Sequence, residues 1–225
     1  MATHLDLEEQ EQLDQLKAFW EEYGNLITVV LVLVVGGYLA WLGWNAWQRD
    51  QGVKAGAMYD ELTRAAQAGD AARAGSIFGD MKERYPRTTF TAQGGLLAAK
   101  IADEKGQADA ARTDLAWVAE SASESAYRAA ARLRLAGISL DEKKYDEALR
   151  QLDGIDDAEF AALAADRRGD VLAAEGKRDD AKAAYQKAWN TMDAKVEYRR
   201  LVEAKLDALG AAPVAPAASG AEAAK

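Results

Sequence analysis

The sequence predicts an all-α protein: a single N-terminal transmembrane helix, then a solenoid of tetratricopeptide-like helical hairpins closed by a capping helix. Two observations predict this organisation. No charged residue occurs from Tyr23 to Gln48, and about 20 apolar residues are enough for a helix to cross a bilayer. After this run the chain is rich in the helix formers Ala, Leu, Glu, Lys and Arg, and turn signals recur at nearly constant spacing.

Residues 1–24 form the first predicted region, an acidic segment. Residues 1–22 carry seven acidic side chains against the single Lys17. Apolar side chains recur there at helical spacing, which predicts a short amphipathic helix ahead of the membrane span. The residues of that apolar face are Leu13, Leu16, Phe19 and Trp20.

Residues 25–48 are predicted to form the transmembrane helix. The apolar run is longer than the core of a signal peptide, and the residues before it are acidic, so we expect an uncleaved anchor. Aromatic residues at both ends are typical of side chains that settle at headgroup depth. Small residues on the span would let a partner helix approach closely. These candidate contact residues are Gly36, Gly37, Ala40 and Gly43.

The charges that flank the span leave its orientation open. Lys17 precedes it, whereas Arg49 and Lys54 follow it closely. Cytoplasmic flanks carry an excess of Lys and Arg. The margin of one side chain weakly favours a cytoplasmic location for the C-terminal part.

Residues 49–209 are predicted to form the repeat domain. One alanine recurs in what we interpret as the second helix of each hairpin, at Ala74, Ala111, Ala148 and Ala181. Twelve residues before each alanine stands a residue assigned to the first helix: Leu62, Ala99, Ala136 and Gly169. Four residues after each alanine stands a large side chain: Phe78, Leu115, Leu152 and Tyr185. Small residues at a helix crossing allow close approach, and a large neighbour fills the space beside it.

The end of the chain divides into two further predicted parts. Residues 195–209 carry an apolar stripe with a polar back, as expected for the helix that caps a repeat array. Residues 210–225 are rich in Ala and Pro and are predicted to be disordered.

No catalytic constellation of residues occurs in the sequence. The chain has no cysteine, and its single histidine, His4, lies in the terminal segment. The pair Gly94-Gly95 lacks the Lys-Ser ending of a phosphate-binding loop. Residues 49–225 hold 30 acidic and 27 basic side chains, which gives no electrostatic footprint for nucleic acid. We therefore expect neither an enzyme nor a cofactor or metal site.

Several stretches resemble the YfgM-like family of ancillary subunits of the bacterial SecYEG translocon. They are the acidic EQEQLDQLKAFWEEYGN, the exit GWNAW, AARLRLAGISLDEKKYDEALRQLDGI (130–155) and ADRRGDVLAAEGKRDDAKAAYQKAW (165–189). The resemblance covers nearly all of residues 8–209. The Ala/Pro-rich tail departs from the family pattern, and the first two repeats match it weakly.

The resemblance implies a location and a set of partners. It implies an inner-membrane protein with a cytoplasmic N-terminus and periplasmic repeats, which opposes the weak charge count and is preferred to it. It also implies association with SecYEG and with a PpiD-like periplasmic chaperone. The role expected from this is to help pass emerging polypeptides to periplasmic chaperones.

In tetratricopeptide arrays the first helices line a concave surface, which is the candidate protein-binding groove. By register it includes Gln93, Leu96, Lys100, Leu133, Gly137, Asp166 and Asp170. Two other functions remain open from the sequence. The chain could be a scaffold of another envelope assembly complex, or a regulator that sequesters a signalling protein.

Overall fold

The computed structural model describes residues 7–213, so His4 and residues 214–225 of the predicted tail lie outside it. Within this range the chain is helical, with no strand, as predicted. The α-helices are α1 (Leu7–Gln67), α2 (Ala71–Arg84), α3 (Thr89–Glu104), α4 (Ala108–Ser121), α5 (Ser125–Asp141), α6 (Tyr145–Asp153), α7 (Ala161–Glu175), α8 (Arg178–Thr191) and α9 (Arg199–Ala208). One 3₁₀ turn, Ala158–Phe160, precedes α7.

The chain divides into two compact units, and the boundary falls within α1, after Gln51. In the first unit, α1 contains both the predicted amphipathic segment and the predicted span. The span is long and apolar enough to cross a membrane, and none of its most apolar stretch is buried. Its large side chains are exposed from Leu26 to Trp47. A helix that is apolar on all sides and uncovered is suited to lipid.

The second unit, from Gly52 onward, contains four helical hairpins and a final helix. The end of α1 shares a core cluster with α2, and the later hairpins are α3/α4, α5/α6 and α7/α8. Each predicted crossing alanine is fully buried, at 0% exposure in all four hairpins. The large residues four positions later are also buried, between 0% and 4% exposed. The predicted register of the repeats is therefore confirmed.

In the fourth hairpin, the Tyr185 ring limits the size of the side chain that position 169 can hold. A Cβ placed on Gly169 would lie 2.8 Å from Cζ of Tyr185 and closer still to two other ring atoms. The ring of Tyr185 therefore occupies the space that a side chain at position 169 would need. In α3, Gly95 is similarly tight, because its Cβ would lie 2.6 Å from Cζ of Phe78. Glycine is required at both positions for close helix packing.

Five helices end in the same hydrogen-bonded turn. At Gly106, for example, the amide donates to Asp103 O, and the next amide, of Gln107, donates to Ala102 O, both at 2.8 Å. This is the Schellman pattern, which needs a left-handed residue after the helix. The left-handed residues are Gly69, Gly106, Lys143, Gly176 and Gly210. Lys143 is the one non-glycine residue with positive φ among the described residues, at 60°.

The Lys143 turn gives a direct test of this geometry. We expect Lys143→Gly to raise the free energy of unfolding by about 1 kcal/mol, because a side chain in the left-handed region is strained. Gly106→Ala should lower it by a similar amount, although a Cβ there would meet no atom within 4 Å. Chemical denaturation of the full chain in detergent measures both. Equal stability of the two variants would contradict the strain argument.

The Gly169–Tyr185 contact gives a second prediction. Gly169→Ala should destabilise the repeat domain by about 1–3 kcal/mol, the usual cost of overpacking. In a Tyr185→Leu background the cost of Gly169→Ala should be smaller, since Leu115 and Leu152 occupy that position in the second and third hairpins.

Gly137→Ala is the matched control for Gly169→Ala. It also lies in a helix, but a Cβ there meets no atom within 4 Å. It should stabilise the protein by about 0.5–1 kcal/mol. A loss of stability as large as that of Gly169→Ala would show that helix packing does not decide the effect.

Candidate protein-binding surface

The first helices of neighbouring hairpins are held together by long-range polar contacts. Between α3 and α5, the Gln93 amide donates to the Tyr127 hydroxyl at 2.7 Å. Farther along the same pair, an Arg134 guanidinium nitrogen donates to Leu96 O at 3.0 Å. Gln93 and Leu96 were both predicted to face a partner. In the structure the Gln93 side chain and the Leu96 carbonyl join adjacent repeats.

A related contact recurs where α3 and α5 begin. The Thr89 hydroxyl, at the start of α3, bonds the Glu124 carboxylate just before α5. One hairpin later, the Ser125 hydroxyl donates to Asp157 at 2.6 Å. This hydrogen bond and two backbone amides, those of Glu159 and Phe160, hold the pKa of Asp157 below its usual value. The repeats are thus linked by polar side chains at equivalent positions.

Between α3 and α5 the surface opens into a cleft of about 360 Å³, which we call the α3–α5 cleft. Its floor includes Ala111 and Leu115 of α4, both almost fully buried. Gly137 lies on the α5 side and has open space where a side chain would be. The full lining is Ala99, Lys100, Asp103, Ala111, Leu115, Arg134, Gly137, Ile138 and Asp141. The volume is in the range of pockets that hold small ligands or one or two side chains.

The rim of the α3–α5 cleft carries charges of both signs. The Lys100 side chain is exposed, and its Nζ lies 3.6 Å from Oε1 of Glu104, one turn further along α3. Asp103 and Asp141 are exposed carboxylates on opposite sides of the cleft. An apolar floor inside a polar rim is an arrangement that protein interfaces commonly have.

Asp166 differs from the expectation of an accessible groove residue, because its side chain is fully buried. Tyr198 donates to its carboxylate at 2.7 Å, and Lys205 donates to both oxygens at 2.8 Å. Nζ of Lys205 also lies 2.7 Å from Oδ1 of Asp170, and the same oxygen accepts a hydrogen bond from the Tyr185 hydroxyl at 2.8 Å. A buried carboxylate needs such partners. We call these five residues the cap network, because they join α9 to α7 and α8.

The cap network shifts the acidity of its two tyrosines. Burial, the hydrogen bond to Asp166 and the charge of that carboxylate raise the pKa of Tyr198 to about 12. Burial raises the pKa of Tyr185 further, with the Asp170 hydrogen bond as the second cause. Both phenols therefore stay protonated and donate hydrogen bonds throughout the physiological pH range.

The predicted groove residues occupy four different settings in the structure. The Gln93 and Leu96 contacts join adjacent repeats, and Asp166 and Asp170 belong to the cap network. Lys100 and Gly137 line the α3–α5 cleft, and Leu133 is half-buried in the core cluster of α5 and α6.

Sequence reasoning missed Arg134, Ile138 and Asp141 as cleft residues. Together with Gly137 they follow the i, i+3, i+4, i+7 spacing of one helix face on α5, so helical periodicity could have found them. Lys205 lies 39 residues from Asp166 in sequence, and no local pattern indicates that contact.

The predicted contact residues of the span lie on α1 in the first unit. A Cβ at Gly36, Gly37 or Gly43 would meet no atom within 4 Å, so these positions are open on the helix surface. Ala40 is also exposed. Their backbone is accessible to a neighbouring helix.

The hairpins, their crossing alanines and the capping helix define a tetratricopeptide-like repeat protein. A family model described as "Tetratricopeptide repeat-like domain" matches residues 17–211, which agrees with this class. No solved structure matches the chain significantly.

Curated relatives are similar over most of the chain, and each is named "Ancillary SecYEG translocon subunit". The protein from Neisseria gonorrhoeae (strain ATCC 700825 / FA 1090) is 33% identical over 93% of this chain and 100% of its own length. That from Haemophilus influenzae is 29% identical over 81% of this chain and 89% of its own. That from Escherichia coli (strain K12) is 29% identical over 79% of this chain and 85% of its own length. The chain belongs to this family of ancillary translocon subunits.

Removal of one charge tests the cap network. Lys205→Met leaves the buried Asp166 carboxylate without its cation and should destabilise the repeat domain by about 3–5 kcal/mol. Lys177→Met is the matched control, because Lys177 pairs with Glu175 at 2.7 Å but is half exposed. It should cost at most about 1 kcal/mol. Denaturation of the full chain in detergent distinguishes the two, and similar losses would mean that burial of Asp166 carries no such cost.

Proposed function

We propose that this chain is a single-pass inner-membrane scaffold that associates with the SecYEG translocon through its N-terminal helix. The observation that carries this proposal is the match to ancillary translocon subunits across nearly the whole chain, together with an uncovered apolar helix in α1. The repeat-like fold and the relatives both favour a scaffold over an enzyme.

The proposed organisation follows the predicted regions. Residues 1–24 lie in the cytoplasm, residues 25–48 cross the membrane, and residues 49–209 form the repeat domain in the periplasm, followed by the tail at 210–225. The small residues Gly36, Gly37, Ala40 and Gly43 contact a translocon helix. What supports this last step is their open surface on α1, since short side chains allow close contact between helices in lipid.

In this proposal the repeat domain binds a segment of a PpiD-like chaperone or of an emerging polypeptide. The α3–α5 cleft supports it, because it combines an apolar floor, open space at Gly137 and a rim of both charge signs. The groove is preformed by packed helices, so little order has to be gained on binding. The anchor keeps the repeat domain close to the translocon, which raises its effective concentration there.

Co-purification of SecY with two forms of the protein tests the role of the anchor. The full chain should recover SecY from detergent-solubilised membranes, whereas a fragment of residues 49–225 should not. A helical circular dichroism spectrum of the fragment is the folding control. Equal recovery of SecY by both forms would contradict the proposal that the span carries the contact.

The α3–α5 cleft is tested in the same preparation with variants of one residue. Gly137→Leu places a side chain in open space and should reduce recovery of a PpiD-like chaperone several-fold without loss of stability. Gly137→Ala adds one methyl group and should change recovery little. Recovery of SecY should be the same for both. Unchanged chaperone recovery with Gly137→Leu would contradict binding in the cleft.

A further inference from the structure

An exposed apolar patch lies at the start of the repeat domain, on residues that play no part in the cleft or the cap network. Val53 is 74% exposed, the largest value among the exposed large apolar side chains of the described residues, including those of the span. Phe90, in the first turn of α3, is 39% exposed. We call Val53, Gly56, Tyr59 and Phe90 the apolar patch.

The apolar patch is built by packing between α1 and α3. A Cβ placed on Gly56 would lie 3.3 Å from the Phe90 ring, so the absence of a side chain lets the ring lie against α1. Tyr59 supports the same ring, with centroids 5.9 Å apart. Val53 lies one turn before Gly56, and this spacing places the two on one side of the helix. The ring of Phe90 is thus held in place while much of it stays open to the surroundings.

The chain itself limits what can cover this patch. Val53 follows Trp47, the last aromatic residue of the span, by six positions. Even a fully extended chain of that length spans about 21 Å at most, whatever the arrangement of the two units. Trp residues at the end of a span settle at the headgroup level. The most exposed apolar side chain of the repeat domain is therefore confined to the neighbourhood of the bilayer surface.

We propose that the apolar patch docks on the lipid bilayer, with Val53 and Phe90 at the boundary between headgroups and acyl chains. Lipid is the occupant that the tether always supplies, and small apolar and aromatic surfaces are stabilised at this depth. The contact would hold the repeat domain close to the membrane in addition to the tether. This inference rests on the proposed crossing of the membrane by α1 and not on association with the translocon.

Spin labelling in vesicles tests the docking without any translocon present. The chain has no cysteine, so Ala57→Cys places one label on α1 beside Val53, and both patch side chains stay intact. Ala204→Cys, near the exposed Leu201 of α9, is the matched control at another exposed apolar site. The full chain is reconstituted into phosphatidylethanolamine/phosphatidylglycerol vesicles and checked by flotation. Accessibility to oxygen, which concentrates in lipid, is compared with accessibility to a water-soluble nickel chelate.

The ratio of oxygen to nickel accessibility should be several-fold higher at position 57 than at position 204. Replacement of the patch side chains, Val53→Ser with Phe90→Ser, should bring the ratio at 57 down to that at 204, with an unchanged helical circular dichroism spectrum as the folding control. If the protein floats with the vesicles but the labels at positions 57 and 204 are equally accessible to the nickel chelate, the docking alone would be overturned. Failure to float would overturn the anchor as well. Shielding of position 57 only after SecYEG is added would overturn lipid as the occupant in favour of a protein surface.

Discussion

Each hairpin of the repeat domain depends on one close helix crossing at a fully buried alanine. The methyl group at Ala74, Ala111, Ala148 or Ala181 lets the second helix approach the first. The large side chain four residues later then fills the space beside the crossing. Where that side chain is Tyr185, the facing residue must be Gly169. Because this geometry recurs, successive first helices lie side by side, and the polar contacts between them and the α3–α5 cleft follow from that placement.

At the end of the array, α9 packs in place of a further hairpin, and a buried charge lies in this contact. Asp166 and Asp170 of α7 face α9 and both pair with Lys205, while Asp170 also pairs with Arg167. A buried carboxylate without a cation is costly, so a shift of α9 that separated Lys205 from Asp166 would destabilise the repeat domain. Asp166 and Asp170 were predicted to line an open groove, but they lie instead in the contact with the capping helix α9. The surface left for a partner lies farther from the end, between α3 and α5.

The sequence predicted those features that depend on local spacing. The crossing alanines stand at offsets of 37, 37 and 33 residues, and their neighbours at fixed distances could be read directly. The burial of Asp166 could not be predicted, because its partners, Tyr198 just before α9 and Lys205 within it, lie 32 and 39 residues away and no pattern pairs them. Gln93 illustrates the same limit, since a polar residue on a first helix looks identical whether it meets Tyr127 or a partner.

The apolar surface of α1 is the feature that the packing of the repeats leaves unexplained, and a membrane with a translocon partner would account for it. Photo-crosslinking from the span in living cells measures this most directly. A photoreactive residue at Ala40, on the face of Gly36 and Gly43, should give adducts with SecY. One at Leu31, which helical spacing places on the opposite side from Gly36, Gly37, Ala40 and Gly43, should give far fewer. The absence of SecY adducts from both positions would contradict the contact on which the proposed function depends.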